Sequence, residues 1–181
     1  MFSTSKFFTI ALLAGLIVSV NSLNVWAAGD PVSITITGNV VASPCKVSTD
    51  SQAMSIPLST TDLQTADLNA ANSASDWVPF NVTLQDCPPG TTSVTATFHG
   101  TPDPADPETL YLNTGDAENV GVQLETQAGA ACGNGKTSTL DIASAVGGKP
   151  TWTLQTRAYS KAGGVTPGLI NAVVTMSLTY N

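Results

Sequence analysis

Histidine is almost absent from this sequence, and basic charge is scarce. The chain of 181 residues holds one histidine, six lysines and arginines together, and thirteen acids. A single imidazole excludes the multi-histidine ligand sets of catalytic copper and zinc centres. It also leaves no Ser-His-Asp or Cys-His set that avoids His99. A lone histidine at a strand end is assigned no role. Scattered Lys and Arg offer no cluster for a phosphate backbone, which excludes nucleic acid as a partner. A polybasic membrane patch is excluded for the same reason. The acids form no run. Neither an enzymatic activity nor a cofactor is expected.

Long apolar runs are missing too. The longest is Phe7–Val20, interrupted by Thr9, Gly15 and Ser19. It is short of the roughly 20 residues needed to span a bilayer. It follows Met1–Lys6, which carries one lysine, and precedes Val25-Trp26-Ala27, with compact residues at −3 and −1 of a cleavage site. That order is a secretory signal peptide over residues 1–27, cut after Ala27. Its loss removes Lys6 and leaves five bases against thirteen acids. The remainder is one domain by length.

Cysteine is limited to Cys45, Cys87 and Cys132. Export makes a disulfide expected, but counting cannot choose the pair. Position favours 45–87, because each of these residues ends an alternating pattern. Cys132 lies in Ala130-Ala131-Cys132-Gly133-Asn134-Gly135, which reads as a loop. It is expected to be an unpaired loop thiol, open to alkylation in the native protein. A 45–87 bridge closes a loop of about 42 residues, worth roughly 4 kcal/mol on the chain-entropy account.

What the chain has in abundance is a period of two. Val32, Ile34 and Ile36 alternate with Ser33, Thr35 and Thr37. Phe80, Val82 and Leu84 alternate with Asn81, Thr83 and Gln85. The same pattern runs through Val94–Phe98, Val120–Leu124, Trp152–Thr156 and Ile170–Tyr180. These are strands with one buried face. Between them stand turn signals such as Cys87-Pro88-Pro89-Gly90, Asn134-Gly135, Gly147-Gly148-Lys149-Pro150 and Gly163-Gly164,. The glycine pairs lack the context of a phosphate-binding loop. Thr101–Glu108, with three prolines, reads as an exposed loop, and Ser59–Ala71 has the spacing of a short helical turn. Trp77 and Trp152 read as core or sheet-face aromatics. The expected class is all-β, a sandwich of short strands. An immunoglobulin-like sandwich would carry one more strand after Gly168–Asn181, and the sequence supplies none there.

Several residues at fixed places resemble the chaperone–usher pilus subunits, especially the small subunits of type 1 pili. The alternating N-terminus leads into Val40-Val41-Ala42-Ser43-Pro44-Cys45. The second cysteine follows a strand in Asn81-Val82-Thr83-Leu84-Gln85-Asp86-Cys87-Pro88. Tyr180 is penultimate, and Gly168 is the fourteenth residue from the C-terminus. The stretch Asp76-Trp77 through Cys87-Pro88-Pro89-Gly90-Thr91 is most similar to the minor tip adaptor subunits. The resemblance covers the chain after the signal peptide.

It implies an immunoglobulin-like β-sandwich lacking its C-terminal strand and completed by donor-strand complementation. Residues 28–42 would be a donor-strand extension and residues 43–181 the pilin domain. The donor face is Val32, Ile34, Ile36, Gly38 and Val40. The acceptor groove and chaperone contact are assigned to Gly168, Val174, Met176, Leu178 and Tyr180. The implied partners are a neighbouring subunit at each end, a periplasmic chaperone and an outer-membrane usher. The implied route runs through the periplasm to a fimbrium at the cell surface, where the subunit supports adhesion. Rod subunit and secreted immunoglobulin-like receptor-binding domain are the alternatives. A tip adhesin would carry a receptor-binding domain ahead of the pilin domain, and an assembly chaperone would need two complete sandwiches and a basic cleft.

Overall fold

The computed structural model describes residues 32–181. The expected signal peptide lies outside the described residues. The chain divides between Gly38 and Asn39 into two units. In the first, residues 32–38 form no regular element, and Val32, Ile34 and Ile36 are exposed. The alternating pattern there takes no strand, and among the described residues none begins before Lys46. A strand is a paired object, and a run with no pairing partner has no ladder to hold it extended.

The second unit holds nine strands. They are β1 (Lys46–Val47), β2 (Ser73–Ala74), β3 (Val78–Gln85), β4 (Ser93–His99), β5 (Leu110–Leu112), β6 (Gly121–Thr126), β7 (Thr137–Asp141), β8 (Thr151–Ser160) and β9 (Thr175–Tyr180). The only α-helix among the described residues is α1, Thr49–Gln52. The strands build two antiparallel sheets. The larger runs β1-β3-β8-β6-β5, with β2 also on β8, and the smaller runs β7-β4-β9. Ser59–Ala71 contains turns, with Leu68 N–H bonded to the Thr65 carbonyl and Leu68 buried beneath.

The period of two places the core. Val82 and Leu84 on β3 and Trp152 and Leu154 on β8 face Val94, Ala96 and Phe98 on β4. The intervening hydroxyl residues Thr95 and Thr97 look outward, so one strand satisfies both a dry and a wet face. Tyr111 is fully buried and donates its hydroxyl to the Cys132 carbonyl at 2.7 Å. Burial pushes that phenol well above its ordinary range.

Two expectations are corrected. The last strand begins at Thr175, not at Gly168. Residues before it bond instead to the 113–117 segment, through Thr114 N–H to the Asn171 carbonyl and Ala117 N–H to the Leu169 carbonyl. Gly168 makes that course possible. Its φ is +157°, and a Cβ there would stand 2.5 Å from the Ala117 nitrogen,. The second correction concerns Cys132. It is 1 % exposed, and burial raises its thiol to about 11. The loop containing it folds inward because Cys132 N–H bonds to the Leu124 carbonyl on β6. A buried, protonated thiol is a poor nucleophile.

Cys45 and Cys87 form the disulfide, with Cα atoms 4.1 Å apart. A thiol map checks both assignments. At pH 8, iodoacetamide should leave the native protein unlabelled. Denaturation without reductant should then expose one thiol, Cys132, and reduction should release the other two. Native labelling of Cys132, or a bridge using it, would contradict the structure.

The candidate strand-accepting groove

β9 is one edge strand of the smaller sheet, and β1 is an edge of the larger. An antiparallel strand bonded on one side only leaves a second row of N–H and C=O groups without a strand partner. β9 pairs with β4 from Val94 opposite Tyr180 to His99 opposite Thr175. Among the described residues no strand pairs with its other side. Between these two edges lies a cavity of about 610 Å³.

The floor of that cavity is core. Val82, Phe98, Leu124 and Leu154 reach it from both sheets. Along one wall, Val174, Met176 and Leu178 present alternate side chains, each half-buried, while Thr175, Ser177 and Thr179 are exposed. In a closed sandwich the inward residues of a central strand are covered on all sides. Here Phe98 on β4 is fully buried and its cross-strand neighbour Met176 on β9 is not. The difference is a missing layer of side chains above the wall.

The opposite wall escaped the sequence reading. Met54, Ile56 and Leu58 all line the cavity. Met54-Ser55-Ile56-Pro57-Leu58 has the same period of two as the recognised strands, and that pattern was the available signal. No backbone–backbone hydrogen bond among the described residues uses residues 54–58. The groove is thus bordered on both sides by backbone that has no ladder partner on the side facing it.

One end of the groove is tied shut. Tyr180 donates its hydroxyl to the Cys45 carbonyl at 3.3 Å, and burial raises that phenol above its ordinary range. Thr91 Oγ1 donates to the Ser43 carbonyl at 2.9 Å. Lys46 pairs with Asp86 at 3.1 Å beside the Cys45–Cys87 bridge. The last residue is zipped to β4, with Asn181 N–H bonded to the Ser93 carbonyl and the Asn181 carbonyl accepting from Thr92 and Ser93.

Of the residues assigned to the acceptor from sequence, Val174, Met176 and Leu178 share the groove. Tyr180 belongs to the tied end. Gly168 lies outside the lining, at the bend against Ala117. The residues assigned to a donor face from sequence, Val32, Ile34, Ile36 and Val40, are exposed by 78–97 %, and a Cβ on Gly38 would meet nothing within 4 Å.

A sandwich with one open seam and a penultimate tyrosine has close relatives. A family profile described as "Fimbrial protein" matches residues 34–181. The chain belongs to the fimbrial protein family. It is 36 % identical over 150 residues to Protein FimG of Escherichia coli strain K12, covering 83 % of this chain and 85 % of that one. It is 36 % identical over 177 residues to the S-fimbrial adhesin protein SfaS of E. coli O6:K15:H31, covering 97 % and 99 %. The P pilus rod subunit PapA has the same fold, with a TM-score of 0.60 at 20 % identity, over 77 % of this chain and 100 % of that one. This chain is therefore a fimbrial subunit with an immunoglobulin-like fold. Its relatives are structural subunits, not enzymes.

Proposed function

We propose that this subunit polymerises by donor-strand exchange, accepting the N-terminal extension of one neighbour and offering its own residues 28–42 to another. The open groove between β9 and residues 54–58 carries the reading. An inserted strand would meet backbone with no ladder partner on each side and an apolar floor beneath, the conditions for strand addition to a sheet edge. The extension has the complementary form. Val32, Ile34, Ile36 and Val40 fall on one face at spacing two, and Gly38 falls on the same face where a shallow floor admits no side chain.

Before assembly, the open groove needs cover. A periplasmic chaperone would lend a strand after export, and an outer-membrane usher would exchange it for the next subunit's extension. Within the fibre, the subunit acts as a minor or adaptor component that supports cell adhesion. The stretch from Asp76-Trp77 to Pro88-Pro89-Gly90 supports that position.

Crosslinking tests the pairing. A photoreactive residue at position 36, in assembled fibres, should give adducts with the β9 region of the adjacent subunit. Adducts confined to the same chain would refute the exchange.

A further inference from the structure

The outer face of the larger sheet carries a cation that the fold does not neutralise. β8 alternates, with Trp152, Leu154, Thr156 and Ala158 buried and Thr153, Gln155, Arg157 and Tyr159 on the other face. Arg157 is the only arginine in the chain. Its Cζ lies 4.1 Å from the centre of the Trp77 ring and 5.5 Å from that of Tyr159. Its Nε donates to Gln123 Oε1 at 2.7 Å, across the β6–β8 register that sets Gln123 opposite Arg157. A guanidinium carries five N–H donors, and Gln123 takes one.

The chain has thirteen acids and six bases. The three ion pairs among the described residues use Lys46, Lys136 and Lys161. None uses Arg157. A guanidinium over the Trp77 ring, close to the Tyr159 ring and anchored at Nε, has lost part of its rotamer freedom before any ligand arrives. Its two terminal nitrogens form a fork that matches a carboxylate. The surroundings add more. Tyr159 and Trp77 are half-buried, so each keeps some exposed surface. Tyr159 donates its hydroxyl to Asn72 Oδ1 at 3.1 Å, which places a side-chain amide at the rim.

We infer that Trp77, Arg157 and Tyr159 form a binding site for an acidic sugar, one that carries a carboxylate on a pyranose ring. The carboxylate takes the fork of Arg157. The C–H face of the ring lies against the open aromatic surface, and a ring hydroxyl reaches Asn72. A subunit displayed on the cell surface meets such sugars in extracellular glycans. The site lies on a different face from the groove, so it does not depend on strand exchange.

The test is a titration by ¹H–¹⁵N NMR of the subunit without residues 1–27, its groove filled by a peptide copying a neighbour's N-terminal extension, following the Trp77 indole and the Arg157 Nε–H. Glucuronate should produce saturable shifts at both. Glucose, which lacks the carboxylate, should not, and acetate, which lacks the ring, should bind more weakly. Arg157→Lys keeps the charge and loses the fork, and should weaken glucuronate about tenfold. Unchanged signals from core methyl groups separate that loss from unfolding. Tyr159→Phe keeps the stacking and should weaken binding by a smaller factor. No saturable shift with glucuronate, an equal response to acetate or glucose, or full binding by Arg157→Lys would each overturn the site.

Discussion

A peptide copying the N-terminal extension of a neighbouring subunit, the counterpart of residues 28–42 here, raises the melting temperature of this subunit by about 20 °C or more. The estimate starts from burial. Four aliphatic side chains entering an apolar groove contribute roughly 1.5–3 kcal/mol each. Together that is on the order of 10 kcal/mol before the ladder hydrogen bonds and the ordering of the peptide. For a domain of this size, each kcal/mol moves the midpoint by roughly 2–4 °C. Calorimetry with and without peptide reads the effect. A second peptide with the apolar residues shifted by one position should do nothing, because a one-residue slip turns its apolar face to water. A high midpoint that no such peptide moves would remove the groove from the account.

The size of that effect rests on what the core lacks. Met176 and Leu178 are half-buried, while Phe98 beside them is closed off. A strand laid against β9 would cover the first two and pair its open backbone edge. The unfilled subunit is therefore expected to be the unstable form.

Much of this was legible in the residues, for a definite reason. Alternation writes the identity of a buried face directly into the chain, so β3, β4, β6, β8 and the wall of β9 could be read from Val, Leu and Thr at spacing two. The disulfide followed from where two cysteines sat relative to those patterns. What could not be read depended on partners distant in sequence. β1, β2 and β5 are two or three residues long and exist because a longer neighbour pairs with them. The bend at Gly168 depends on Ala117, and the burial of Cys132 depends on the Leu124 carbonyl. The wall at Met54, Ile56 and Leu58 was readable and was missed. Arg157 between Trp77 and Tyr159 could not be found, because its three members meet only once β8 is registered beside the residues before β3.

Ile36→Asp is expected to abolish donation while leaving the subunit's own fold intact. Ile36 is 90 % exposed, so an aspartate there removes no packing from the monomer. In the groove of a neighbour the same carboxylate would stand on an apolar floor of the kind that Phe98, Leu124 and Leu154 form here. Desolvating an unpaired carboxylate there costs several kcal/mol, and the aliphatic burial of isoleucine is lost as well. Together these erase most of the margin estimated for the whole strand. The variant should keep its melting temperature and its stabilisation by an added peptide, yet fail to enter a fibre beyond a terminal position. Leu178→Asp is the mirror case. It puts the charge on the accepting wall and into the subunit's own half-buried core, so it should lower the melting temperature and abolish peptide stabilisation together. Assembly followed by electron microscopy and calorimetry distinguishes the two. Normal fibres from Ile36→Asp would show that the apolar face of the extension is not what binds subunits to one another.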